Sequence, residues 1–296
     1  MNTNLIIVVG AGLMGQGIAQ CAAQAGYSVR LWGMNELELK RALKNVSSSA
    51  AKLYAKGKIK DAPDTVLTRI TPVLDLDQCT KGNIYIETVI ESIAVKRGIF
   101  CQLEQLAPPA SILASNTSTI PIGKIVAATA SHERCLGIHF TSPVPIMPVA
   151  EVIRTPATTD VVFERAVAFV RSLGKEVIHV HKDVPGFVFN RINLPSNVEA
   201  VRLVEIGVAS VEDIDKAMRL GFGRPMGPFE TADMVGLDTG FNALSALYAE
   251  TGDEKFRPPE LLRRKVQVGQ LGRKTGCGWY TYDAAGIRTG VASLPE

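Results

Sequence analysis

Cysteine is sparse in this 296-residue sequence and never clustered. Cys21, Cys79, Cys101, Cys135 and Cys277 include no Cys-x-x-Cys pair, so neither a disulfide frame nor a zinc site is indicated and no metal is expected. No apolar run approaches the ~20 residues of a membrane-spanning helix. Charge of either sign is not in excess. With 32 Lys and Arg against 29 Asp and Glu, a net +3 is too small to point to a nucleic-acid or membrane partner. No basic stretch followed by an apolar signal segment precedes the strand-like run that begins at Leu5, so a cytoplasmic, reduced protein is expected. Internal repeats and low-complexity segments are lacking too. What remains is a globular composition, 46% hydrophobic and 21% charged, long enough for one large domain or two ordinary ones of ~150 residues.

One further absence concerns a single position. "VVGAGLMGQGIAQ" (Val8–Gln20) reads as a strand, a Gly10-x-Gly12-x-x-Gly15 turn and a helix, the arrangement that holds a dinucleotide pyrophosphate. Gly10 permits the turn, Gly12 lets the backbone approach the phosphates, and Gly15 lets helix and strand pack closely. Leu13 and Met14 open the helix whose N–H groups face the anion. A carboxylate is then expected at the end of the next strand, to bind a ribose. The sequence there is "SVRLWGMNE", with Gly33 in that place. Glu36 falls in the following helix, and Arg30, Lys40 and Arg41 are not obviously aimed at the site. The expected cofactor is NAD(H); NADP(H) is admitted because Gly33 cannot repel a 2′-phosphate.

Apolar runs at Leu5–Gly10, Val29–Gly33, Asn83–Val89, Ser111–Asn116 and Leu136–Phe140 alternate with helical stretches, including a polar one from Glu36 to about Lys58. Pro148–Pro156 and Lys175–Val180 read as further strands around a helix over Val161–Leu173. This is the pattern of an α/β Rossmann-type sheet with helices on both faces. Pro185-Gly186 breaks it. Beyond that point the strand signal disappears, and apolar residues recur at helical spacing, with Gly207, Gly221, Gly236 and Gly252 as stops and Ser210 with Asp213 as a helix start. The expected domains are therefore 1–183, dinucleotide-binding, and 184–296, all-helical.

Four later segments, "ASNTSTIPI" (Ala114–Ile122), "GIHFTSPVPIMPVAEVI" (Gly137–Ile153), "PGFVFNRI" (Pro185–Ile192) and "LGRKTGCGWYTY" (Leu271–Tyr282), together with the glycine turn, make the chain resemble the 3-hydroxyacyl-CoA dehydrogenases, most nearly their short bacterial 3-hydroxybutyryl-CoA type. The resemblance covers nearly the full length. It implies interconversion of an L-3-hydroxyacyl thioester and the 3-ketoacyl thioester, with hydride exchanged with the nicotinamide. It makes His139 the general base, Glu151 its partner, and Ser118 and Asn190 the groups that position the substrate. By the same carry-over Glu91, Lys96, Ser118, Ser142 and Lys274 would line the cofactor site, while Ser49 and Lys56 would hold the coenzyme A end. An acyl-CoA substrate and a homodimer formed through the second domain are implied.

The residue types suit the chemistry. A secondary alcohol releases hydride only if its proton also leaves, and histidine has the side-chain pKa nearest working pH. A carboxylate that fixes the imidazole tautomer and stabilises the imidazolium suits Glu151, which would otherwise be a costly buried charge. With Asn190 beyond the domain boundary, the substrate is expected between the domains. Structural alternatives exist for each residue. His139 could be a satisfied structural histidine; Ser118 could cap the helix near Pro121, and Asn190 the first helix of the second domain. Lys52, Lys56, Lys58 and Lys60 could be a solvated face; His132, His179 and His181 read as surface residues. Three departures from the family pattern fall at Gly33, at Ser142 (usually Asn before Pro143), and at Pro148 with Ala150. Two rival readings are the same chemistry on a carrier-protein-bound or free hydroxy acid, and a non-catalytic relative.

Overall fold

Strand β1 (Leu5–Val9) is buried on both faces, Ile6 and Val8 entering one hydrophobic core and Ile7 and Val9 another. That two-sided burial requires helices above and below the sheet. The structure, a computed structural model, describes residues 4–294 and divides into two units, the first ending at Phe187 and the second starting at Val188.

In the first unit β1 is joined by β2 (Ser28–Trp32), β3 (Ile70–Val73), β4 (Ile84–Glu87), β5 (Ile112–Ser115), β6 (Cys135–Phe140), β7 (Val149–Arg154) and β8 (Glu176–Val180). Their order across the sheet is β3-β2-β1-β4-β5-β6-β7-β8. Strands β1 to β6 are parallel. Strand β7 is antiparallel to β6, and β8 is parallel to β7. The order reverses beside β1, and ligands of such sheets bind in the crevice at the carboxyl ends of the strands there. Strand β3 was not foreseen. Its Pro72 argues against a central strand, but β3 is the edge, where the missing N–H costs nothing.

Helices α1 (Leu13–Gln24) and α2 (Glu36–Ala55) cover one face near the glycine turn, with α3 (Pro63–Thr68) beside them. Helices α4 (Ile93–Leu106) and α5 (Ile122–Val126) cover the other. Helix α6 (Asp160–Ser172) packs on β6, β7 and β8.

The second unit contains α7 (Phe189–Glu205), α8 (Val211–Phe222), α9 (Pro228–Val235), α10 (Leu237–Thr251) and α11 (Glu260–Gln267), packed around Phe229, Leu244, Phe256, Trp279 and Tyr280. Ser210 caps α8 by accepting the Asp213 N–H. Gly252 ends α10 in the left-handed conformation. Gly221, expected as a stop, lies inside α8, which ends instead at Gly223. A two-stranded hairpin, β9 (Tyr280–Tyr282) with β10 (Arg288–Val291), follows the helices where no strand was expected. Buried acids organise it. Asp233 accepts the N–H groups of Trp279 and Tyr280 at 2.8 and 2.9 Å, and Asp215 accepts the Tyr280 hydroxyl at 2.7 Å. Such tertiary bonds leave no local sequence signature.

Among the described residues no helix is long and apolar enough to cross a membrane, and no group of three His, Cys, Asp or Glu side chains is placed to hold a metal ion.

Candidate active site

The glycine turn leaves β1 through Gly10, whose φ of +113° favours glycine. The Thr88 hydroxyl, just after β4, donates to the carbonyl oxygens of Val9 and Gly10 at 3.1 and 2.9 Å. A Cβ at Gly15 would lie 1.8 Å from the Gly10 carbonyl oxygen, so only glycine lets α1 start this close to β1. At Gly12 a Cβ would meet nothing within 4 Å. Helix α1 has no side-chain cap and no acid in its first turn, so its first N–H groups and positive dipole end could receive an anion. A cradle without side chains at a bare helix N-terminus fits a dinucleotide pyrophosphate. Leu13 is exposed there and Met14 is half-buried.

Gly33, the first residue after β2, is buried, and a Cβ there would lie 2.9 Å from Leu39 Cγ and 3.1 Å from Ala11 Cβ. Arg30 and Lys40 are engaged elsewhere, while Arg41 is exposed on α2. Arg30 donates to the carbonyls of Gln78 and Thr80, and Lys40 pairs with Glu36 at 2.8 Å.

His139 and Glu151 stand directly opposite each other on β6 and β7. Antiparallel pairing places opposite side chains on the same face, so the reversal at β7 brings the two together. The His139 Nδ1 lies 2.6 Å from Glu151 Oε2. Glu151 has no exposure and His139 has 7%. Phe187 packs on the imidazole with ring centroids 5.7 Å apart. Next to it, the Phe140 N–H is held by Asn116 Oδ1 at 2.9 Å, which ties the ends of β5 and β6 together.

A second cluster joins the ends of β4 and β5. Lys96, buried in the first turn of α4, places its ammonium 2.8 Å from Glu87 and 3.2 Å from Glu91. Glu87, fully buried, also accepts the Ser115 hydroxyl at 2.7 Å. Glu91 Oε1 accepts the Ser118 and Thr119 N–H groups at 3.1 and 3.2 Å and the Thr117 and Thr119 hydroxyls. Burial raises the Glu91 pKa, but Lys96 and these donors together outweigh it and hold the carboxyl below its ordinary range. Glu91 and Lys96 thus hold one another and the turn that carries Ser118. Helix α5 begins at Ile122 with Pro121 at its cap position, and Asp183 accepts the Ile122 and Gly123 N–H groups.

The structure brings Ser49 of α2 together with Leu13 of α1 and Ser142, in a cavity of about 280 Å³ also lined by Gln16, Asn45 and Pro143. Lys56 is exposed at the C-terminal end of α2, two helical turns from Ser49. In the second unit Asn190 is the second residue of α7, whose cap position is Val188, and Lys274 pairs with Asp238 at 2.6 Å. Two surface assignments need correction. His132 and His179 are half-buried, His179 lying edge-on to Phe163 at 5.6 Å; His181 is exposed. Glu87, Thr88, Asn116 and Phe187 went unnoticed in the sequence. An acid inside the apolar run "NIYIETV" was the available signal for Glu87.

A glycine-turn sheet that carries a buried His–Glu pair on two neighbouring strands defines a nicotinamide-dependent dehydrogenase acting on a hydroxyl group. Two family models match the chain: the 3-hydroxyacyl-CoA dehydrogenase NAD binding domain over residues 5–184, and the C-terminal domain of the same family over residues 186–282. The chain belongs to the 3-hydroxyacyl-CoA dehydrogenase family. It is 42% identical to a probable 3-hydroxybutyryl-CoA dehydrogenase of Bacillus subtilis, over 96% of this chain and 99% of that one. It is 43% identical to the 3-hydroxybutyryl-CoA dehydrogenase of Bradyrhizobium diazoefficiens, over 94% and 95%. Among solved structures, the (S)-3-hydroxybutyryl-CoA dehydrogenase PaaH1 of Ralstonia eutropha superposes with a TM-score of 0.88 at 39% identity, over 95% of this chain and 100% of that one.

Proposed function

We propose that this chain interconverts a short L-3-hydroxyacyl-CoA, foremost 3-hydroxybutyryl-CoA, and the matching 3-ketoacyl-CoA, using NAD(H) and His139 as the general base. The observation that carries the reading is the 2.6 Å contact between the imidazole and a carboxylate with no exposure, on the sheet that carries the glycine turn. The names of relatives about 40% identical over nearly the whole chain support the substrate class.

With Nδ1 on Glu151, Nε2 is the nitrogen that takes the proton of the C3 hydroxyl. When bound, the nicotinamide accepts the hydride that leaves C3, and returns it in the reverse direction. The Glu151 carboxylate steadies the imidazolium, and in ketone reduction the same imidazolium returns the proton to the oxygen. Ser118, held by Glu91, and Asn190 hydrogen-bond the substrate oxygens and orient C3. Ser49 and Lys56 attract the phosphate-bearing end of coenzyme A, while Gly10, Gly12, Leu13, Met14 and Gly15 receive the pyrophosphate. Lys96 positions Glu91, and Ser142 and Lys274 are assigned to the same cofactor. The protein works in the cytoplasm as a homodimer through the second unit, where Leu220 and Phe222 of α8 are 80% and 76% exposed and would be covered by a second copy.

The test is acetoacetyl-CoA reduction followed at the nicotinamide absorbance, run with NADH and with free acetoacetate as the parallel substrate. Turnover of the thioester with little or none of the free acid is expected. Equal turnover of both would remove coenzyme A from the reading.

A further inference from the structure

The acid absent at position 33 has a substitute in the first turn of the following helix. Asn35 caps α2, its Oδ1 accepting the N–H of Glu38, the third helical residue, at 2.9 Å. In the usual reciprocal cap the acid at this place returns to the N–H of the cap residue itself. Here Glu38 Oε2 instead accepts the N–H of Met34 at 2.9 Å, one residue closer to β2. The carboxylate is thereby fixed against the peptide that joins Gly33 to Met34, at the strand end where dinucleotide-binding sheets meet the adenosine ribose.

Position 33 cannot carry that group itself, since Leu39 and Ala11 occupy the space of its Cβ. Glu36 pairs with Lys40, and the Arg30 guanidinium is tied to the carbonyls of Gln78 and Thr80 rather than to Glu38. Two effects follow for a dinucleotide bearing a 2′-phosphate. The Met34 N–H is already donated to a carboxylate, and that carboxylate repels the added phosphate.

We propose that Glu38 is the residue by which this protein discriminates against NADP(H), through like-charge repulsion from the helix rather than from the strand end. The inference rests on the nicotinamide reading of the glycine turn. It makes the preference for NAD(H) a property of a side chain five residues beyond the position where it is ordinarily sought.

Calorimetric titration of the whole protein with NADH and with NADPH, before and after Glu38→Gln, tests it without catalysis. The glutamine keeps an acceptor for the Met34 N–H and removes only the charge. The affinity for NADPH is expected to rise about five- to tenfold while that for NADH changes less than twofold, the scale of one partly screened charge pair. The gain should shrink as salt is raised from 0.05 to 0.5 M, which loss of a cap would not produce. An unchanged NADPH-to-NADH affinity ratio, or an equal change for both nucleotides, would overturn the proposal. Failure of NADH and NADPH alike to bind the unsubstituted protein would overturn the nicotinamide reading beneath it as well. Glu38→Ala, which removes cap and charge together, should give the same ratio as Glu38→Gln; a ratio shifted only in the alanine variant would also count against it.

Discussion

Gly33 and Leu39 are packed so closely that the first carbon of any side chain at position 33 would sit 2.9 Å from Leu39 Cγ. Restoring the strand-end acid by Gly33→Asp therefore overpacks a site that also holds Ala11. A loss of about 1–3 kcal/mol in unfolding free energy is expected, as for other insertions into a filled core. Urea denaturation measures it. Combining the change with Leu39→Ala should cost less than the sum of the two single changes, because the second removes the atoms that collide. Additive losses would show that the position has room.

The Glu91 carboxyl gives a pH-dependent contribution whose sign can be worked out. Its pKa in the folded chain lies below the ordinary glutamate value of about 4.3. The unfolded chain binds the proton more readily, so the stabilisation is complete above that value and is lost as pH falls through the lower folded pKa. Unfolding free energies compared between pH 7 and pH 3.5 should fall less steeply in Glu91→Gln than in the unsubstituted protein. Parallel profiles would mean that the Lys96 and hydroxyl contacts do not hold this carboxylate.

Lys56 decides between coenzyme A and other acyl carriers. It is exposed, two turns along α2 from Ser49, so charge reversal should not disturb packing. In Lys56→Glu the KM for acetoacetyl-CoA should rise about tenfold with kcat nearly unchanged, the mark of a lost binding contact worth ~1.4 kcal/mol. An unaltered KM would remove this lysine from the coenzyme A end.

How much of this was legible in the sequence follows from whether each signal is local. The glycine turn and the apolar strands announce themselves within a dozen residues, and the structure has strands at every run read as one. Strand β3 and the β9–β10 hairpin did not show. The first carries a proline tolerated only at an edge, and the second is three or four residues per strand, fixed by Asp233 and Asp215 from distant helices. The same division runs through the site. His139 and Glu151 stand out as a histidine and an acid in apolar strands, but their facing positions depend on β7 running against its neighbour, which no periodicity reveals. Phe187 and Asn116, which touch the imidazole and brace the strand end beside it, look in sequence like ordinary core and turn residues.

On the function proposed above, the imidazole at 139 carries the proton while the glycine turn holds the nucleotide. The most direct measurement is the kcat for acetoacetyl-CoA reduction by His139→Ala, taken together with its calorimetric affinity for NADH. A fall of about 10²–10⁴-fold in turnover with nucleotide affinity unchanged is expected. Turnover equal to that of the unsubstituted protein would contradict it.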